Sequence, residues 1–289
     1  MDLMVVGPGR MGLALAWALT LEDVVQDVVV CGRTPDMPDH PIFSQNRARY
    51  VFGLERPSDR TAAVILAIPE EGLPELATSL ASLGPAPQGC SAFHVRAGLS
   101  TDVLAPLHEA GYSLGSFFPL QPIAHPLTSA ERLVGSWFAV TGARDAMHVA
   151  RTLASGLSGH VLEVPHTWKP VADAAFTLTS GAVPAVLASM TRLLSEIGVH
   201  PDDGLPALVS LVRGVLDNVE ELGLDRGLTG PFVEGDLETA SLHLRALEGD
   251  DRRRYAWLGR EVARISQEEG GGQDLAALLA RFDSELKDS

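Results

Sequence analysis

The sequence predicts a mainly parallel, doubly wound α/β domain followed by an all-helical domain, and three observations carry that prediction. Short apolar runs alternate with helix-favouring segments as far as Val164. A glycine-rich turn joins the first run to the first helical segment. Beyond Thr167 the strand signals stop and only helical patterns follow. Strands separated by helices are joined by right-handed crossovers into a parallel sheet, and 289 residues suffice for two domains, placed at 1–165 and 166–289.

The elements follow in order. "DLMVVG" is a short apolar run ending in glycine, suited to a central strand buried on both faces. "RMGLALAWALT" is rich in alanine and leucine and favours helix. "DVVVCG", "RYVFG" and "AAVILAIP" continue as strands, and "EEGLPELATSLASL" as a helix. "CSAFHV", "YSLGSFFPL", "SWFAVTG" and "HVLEVP" complete the strands, with helical "STDVLAPLHEAG" and "DAMHVARTLASGL" among them. The first C-terminal pattern runs to Ile197, with Gly181 and Pro184 expected to kink it. A second helix is expected over residues 204–222 and a third after Asp236, with two more flanking Gly270, Gly271 and Gly272.

"VVGPGRMG" supplies Gly7, Gly9 and Gly12 in the spacing G-x-G-x-x-G, after a strand and before a helix. That context makes it a Rossmann dinucleotide-binding turn. Gly7 permits the turn, Gly9 lets a pyrophosphate approach the backbone, and Gly12 lets helix pack on strand. The segment Gly7, Pro8, Gly9, Arg10, Met11 and Gly12 is therefore the expected phosphate cradle, with the helix N–H groups and dipole holding the anion. Ile68 and Pro69, where the fourth strand ends, are expected beside the cofactor. After the second strand an NAD site usually carries an acid, but here Arg33 and Thr34 follow Gly32. A guanidinium and a hydroxyl suit a 2′-phosphate, so NADP (NADPH) is the expected cofactor.

Composition excludes several classes. The net charge of −15 argues against nucleic acid and anionic membrane surfaces, which need basic patches. No run approaches 18 uninterrupted apolar residues, so no membrane segment is expected and a cytoplasmic location is. Cys31 and Cys90 read as small buried hydrophobes in a reducing compartment. There is no Tyr-x-x-x-Lys and no G-x-S-x-G. No metal site is expected, since His160 and His166 flank Glu163 without a completing motif.

The segments "VVGPGRMG", "AAVILAIPEE", "FHVRAGLSTDVLAPL", "GSFFPLQPIA", "FAVTG" and "LTGPFVEGDLETASLHLRAL" occur in this order across residues 2–260. Together they resemble Rossmann-like proteins with a helical C-terminal domain of unassigned function. These are relatives of pyrroline-5-carboxylate reductase and ketopantoate reductase in the 6-phosphogluconate dehydrogenase-like superfamily. The resemblance implies a homodimer through the helical domain, a nicotinamide held between domains, and a glycine-rich loop bearing Thr229 and Gly230 that reaches substrate. The chain departs from the pattern twice. Phe118 stands where relatives carry histidine, and Ala172 and Asp173 replace a tyrosine–histidine pair.

Hydride transfer to a carbonyl or imine calls for a proton donor or fixed cation near the nicotinamide, at the carboxyl ends of the strands. That selects His94, Gln121 and the start of the first C-terminal helix. Lys169, one of two lysines in the chain, lies there with Thr167 as a plausible N-cap. Two readings stand for it: an acid with a pKa lowered by burial, as in ketopantoate reductase by resemblance, or an exposed lysine covering Trp168. Asp173, one turn on, is placed to orient Lys169 or to anchor a substrate ammonium. Arg96 is a candidate for a substrate carboxylate. The expected function is an NADP-dependent oxidoreductase reducing a small oxo or imino compound. The alternative is a catalytically inactive dinucleotide-binding sensor.

Overall fold

The alternation of apolar and helical segments resolves, in a computed structural model describing residues 1–268 and 273–287, into eight strands and thirteen α-helices. The strands are Asp2–Val6 (β1), Val28–Gly32 (β2), Arg49–Phe52 (β3), Thr61–Leu66 (β4), Ser91–His94 (β5), Ser113–Pro119 (β6), Trp137–Gly142 (β7) and His160–Glu163 (β8). The helices among them are Arg10–Leu21 (α1), Pro41–Ser44 (α2), Leu73–Ala81 (α3), Ala105–Glu109 (α4), Pro126–Glu131 (α5) and Arg144–Gly156 (α6). Then come Lys169–Glu196 (α7), Pro201–Leu222 (α8), Leu224–Gly227 (α9), Pro231–Glu234 (α10), Leu237–Ala246 (α11), Gly249–Glu268 (α12) and Gln273–Lys287 (α13). The triple glycine expected between the last two helices lies outside the described residues.

The strands form one sheet in the order β3-β2-β1-β4-β5-β6-β7-β8. Because side chains alternate across a strand, the apolar runs feed two cores. Leu3, Val5, Ala63, Ile65, Phe93 and Phe117 face one, with the buried side of α1 and with α6. Met4, Val6, Val64, Leu66 and Ala92 face the other, with α3 and Leu107 of α4. Both cysteines are free and buried, and burial pushes the thiols up to about 11 for Cys31 and about 12 for Cys90. They are packing residues, as the sequence implied.

One strand breaks the expected alternation. β7 runs antiparallel to β6, with Phe117 opposite Val140, while the other neighbouring pairs are parallel. A parallel return needs a crossover the length of the sheet. Here the connection carries only the six-residue α5, which packs against α1 instead. The chain therefore re-enters from the end at which β6 left. This keeps residues 120–136 near the phosphate turn, where Arg10 Nη1 donates to the Ala124 carbonyl at 3.5 Å.

The chain divides into two units, Met1–Ser180 and Gly181–Ser289. The boundary falls inside α7, 15 residues past the expected change at Pro165, because the first turns of that helix pack with the sheet domain. Gly181 and Pro184 do not break α7 into two helices. Thr167 is not its N-cap: residues His166–Trp168 form a 3₁₀ turn led by Pro165, and the α-helix begins at Lys169. Taken with that turn, His166–Glu196 is 31 residues long, and its most apolar 18-residue window has a mean hydropathy of 1.5 and contains no buried residue. By length and composition alone it meets the requirement for crossing a membrane.

The second unit has its own core, built from Ala240, Leu244, Ala256, Ala263, Leu278 and Phe282. Asp236 caps α11, the helix expected after it, accepting from the Thr239 N–H at 2.9 Å. Phe232, in the glycine-rich segment, lies edge-on to Tyr255 and Phe282. That segment is thus anchored by an aromatic cluster.

Candidate active site

The turn after β1 is shaped by what its glycines lack. Gly7 has φ +105°, and a Cβ there would lie 2.5 Å from the Ala67 carbonyl oxygen at the end of β4. A Cβ on Gly12 would lie 2.2 Å from the Gly7 carbonyl oxygen. These two positions hold β1, β4 and α1 together through backbone contact. Gly9 differs: a Cβ there meets nothing within 4 Å. It is the N-cap of α1, no side chain caps that helix, and its first turn carries no acid. The leading N–H groups of a twelve-residue helix thus have no side-chain cap and no competing acid in the first turn. Pro8, Gly9, Arg10 and Met11 fit a pyrophosphate cradle.

Beside it, Arg33 and Thr34 are exposed at the end of β2. The Tyr50 hydroxyl donates to the Thr34 carbonyl at 2.5 Å, and the same ring occupies the space a Cβ on Gly32 would need. Tyr50 on β3 therefore fixes the backbone beneath Arg33, a role the sequence did not suggest. On the other flank, Arg96 donates through Nη2 to the Ile68 carbonyl at 3.2 Å. Its guanidinium ties the end of β4 to the loop after β5, next to Pro69.

The candidate catalytic residues gather at the end of β5 and the middle of β6. His94 and Ser116 are partners in the register of those strands, and both are buried. Lys169, 3% exposed, donates from Nζ to the Ser116 Oγ at 2.8 Å. Burial lowers its pKa to about 8, and the nearby Asp173 charge offsets only part of that. The surface reading is overturned: Lys169 is buried, while Trp168, which it was to cover, is 61% exposed.

His94 accepts from the Arg96 backbone N–H at Nδ1, 3.2 Å, so its proton sits on Nε2. That Nε2 is buried without a hydrogen-bond partner. Burial first, then the charges of Lys169 and Arg96, push its pKa down to about 3, a backbone contact with Ser100 offsetting a little. His94 is therefore a neutral hydrogen-bond donor and not a proton carrier near neutral pH. Ser116 was not singled out in the sequence, since its role needs the β5–β6 register to be visible.

Around this centre, Ser100 Oγ lies 2.8 Å from His166 Nε2 and donates to Asp102 at 2.7 Å, tying the loop after β5 to the turn before α7. Asp173 Oδ2 lies 2.5 Å from where a Gly98 Cβ would be, so the carboxylate rests on that loop. Phe118 is half-buried on β6, opposite Ala139. Gln121 is half-buried just after β6. Thr229 and Gly230 (φ +96°) belong to the second unit. His160 stacks on Trp137 and Glu163 pairs with Arg151, so neither joins His166. Among the described residues no cluster of three or more His, Cys, Asp or Glu side chains forms a metal site.

A mainly parallel sheet with a glycine-rich turn between its first strand and first helix defines a Rossmann-like fold. Residues 1–119 match the Rossmann-like domain family, and residues 136–262 match a domain of unknown function, DUF2520. The chain carries these two matches in that order. No curated protein matches it. Among solved structures it is similar to a Thermotoga maritima protein, at 18% identity and a TM-score of 0.73 over 92% of this chain and 99% of that one. It is also similar to the NADP-bound pyrroline carboxylate reductase of Plasmodium falciparum, at 12% identity and TM-score 0.61 over 97% of each chain. A Streptomyces aurantiacus imine reductase aligns at 14% identity and TM-score 0.59 over 98% of this chain and 94% of that one. These likenesses establish the fold.

The glycines separate folding from binding. Gly12→Ala forces the α1 turn off β1 and is expected to destabilise the protein by about 1–3 kcal/mol. Gly9→Ala adds a methyl to open space, so its melting temperature should stay near wild type while dinucleotide affinity falls at least about tenfold. Thermal melting and calorimetry on both variants check this pair, and an unchanged affinity in Gly9→Ala would count against the cradle.

Proposed function

We propose that the protein is an NADP-dependent oxidoreductase that reduces a small oxo or imino compound. The observation that carries this reading is Lys169. It is the only lysine among residues 1–286, it is buried, and it is held on Ser116 beside His94, at the end of β5 where a Rossmann fold presents its ligand. NADPH, when bound, supplies hydride. The chain's own groups supply the rest. The α1 N-terminus binds the pyrophosphate, and Arg33 with Thr34, on the backbone fixed by Tyr50, favours a 2′-phosphate. The His94 Nε2–H donates a hydrogen bond to a carbonyl or carboxamide oxygen, and Lys169 Nζ delivers a proton to developing negative charge.

Assembly belongs to the same reading. α7 and α8 leave Val171, Leu178, Val183, Leu211 and Leu216 exposed. In a cytoplasmic protein without membrane or nucleic-acid partners, a second copy of the chain covers these faces, as in the dimers that the resemblance implies. Light scattering should give twice the chain mass of 30.7 kDa, and Leu211→Asp should give the monomer. A wild-type monomer in detergent-free solution would sink this part of the proposal.

Two measurements test the chemistry. Calorimetry should show NADPH bound at least about tenfold tighter than NADH, with Arg33→Glu reversing the preference. Binding of neither nucleotide would overturn the reading. With a reducible carbonyl compound, Lys169→Ala should lower kcat by about 10²–10⁴-fold without changing NADPH affinity. Because Lys169 acts as an acid, kcat/KM should fall as pH rises through about 8. Tight NADPH binding with no turnover of any carbonyl or imine would instead favour the inactive sensor, the reading to which Phe118 and Asp173 point.

A further inference from the structure

The loop after β5, residues 95–100, is fastened at two points to the helix that carries Lys169. Ser100 Oγ lies 2.8 Å from His166 Nε2. Gly98 lies against Asp173, whose Oδ2 is 2.5 Å from the position of a Gly98 Cβ, a space only glycine leaves free. His166, Lys169 and Asp173 follow at intervals of three and four along the helical run His166–Glu196, so they share one face, with Lys169 between the two fastenings. Lys169 is buried there, while its neighbours Thr167, Trp168 and Pro170 are exposed. The hydrogen-bond roles at the first fastening follow from its partners. Ser100 Oγ donates to Asp102 Oδ2 at 2.7 Å and accepts from the Asp102 N–H at 3.1 Å, so His166 Nε2 donates to Ser100. A ring protonated on Nε2 alone or on both nitrogens makes the same bond. Asp102 Oδ2, 3.8 Å from Nε2, is the counter-charge beside it.

We infer that His166 and Ser100 are positioning residues: their bond closes the loop after β5 over the first turn of α7 and keeps water from the Lys169 ammonium. The charged and titratable groups around the site come from three elements. Asp173 of α7 favours the ammonium and offsets only part of its burial. His94 of β5 is neutral, and Arg96 of the loop is bonded to the Ile68 carbonyl. The hydroxyl of Ser116 on β6 accepts from Nζ. With the loop open, water solvates the ammonium and returns it toward the ordinary lysine range. The clasp thus sets how readily Lys169 gives up its proton, acting through the loop. Its kinetic consequence rests on the reductase reading, whereas the shielding itself does not.

Lys169 and Lys287 are the two lysines of the chain, so trace acetylation with acetic anhydride, read by mass spectrometry, reports Lys169 against Lys287 as internal reference. In wild type the Lys169 rate should be low and titrate with a midpoint near about 8. Loss of one hydrogen bond makes opening about two- to tenfold more frequent. His166→Ala and Ser100→Ala should each raise the rate by that factor and move the midpoint upward. The double variant should do no more than either alone, because both remove the same bond. His166→Gln keeps a side-chain N–H and should restore part of the wild-type behaviour, and Trp168→Ala should change neither rate nor midpoint. Melting curves establish that each variant is folded. His166→Phe, which keeps a ring without the donor, decides the matter should an alanine variant unfold. An unchanged rate and midpoint in folded clasp variants, a further effect in the double variant, or an equal effect of Trp168→Ala would overturn the inference. So would a wild-type midpoint near about 10, the ordinary lysine value. Where a substrate is turned over, the alkaline limb of kcat/KM should move upward in the same variants. Where none is, the reductase reading fails and the labelling alone decides the clasp.

Discussion

The contact between the turn after β1, the end of β4 and the start of α1 sets where every other functional group can stand. It is a contact of backbones. Gly7 lies against the Ala67 carbonyl, and Gly12 against the Gly7 carbonyl. Any side chain at either position would push helix from sheet, and the helix N-terminus would no longer face the space in front of Gly9. With the turn closed, the ends of β4, β5 and β6 come level with it through a continuous parallel ladder. The antiparallel β7 follows from the same arrangement, since α5 packs on α1 and brings the chain back beside the phosphate turn.

On that frame the proposed site is shaped by the exclusion of water. Lys169 and His94 are both buried, and burial is the leading cause of both pKa shifts. The outcomes differ because the two groups start from different places. A lysine lowered to about 8 still carries its proton near neutral pH. A histidine lowered to about 3 does not, and it is left as a directional N–H donor. Desolvation thus assigns the two groups different tasks without any residue dedicated to orienting them beyond Ser116 and the Arg96 backbone.

The parts legible in the sequence are those with local causes. Strand runs, the glycine spacing, the Asp236 cap and the buried cysteines each follow from a few adjacent residues. The position of Lys169 at a strand-to-helix junction was visible too, but its burial was not, because that depends on β6 lying beneath it. Ser116 and Tyr50 were missed for a related reason. Each acts through a partner distant in sequence, 53 residues away for Ser116 and 16 for Tyr50. The direction of β7 escaped as well, since a strand pattern carries no sign of which end it enters from. The 3₁₀ turn before α7 replaced the expected Thr167 cap because Pro165 already bends the chain there.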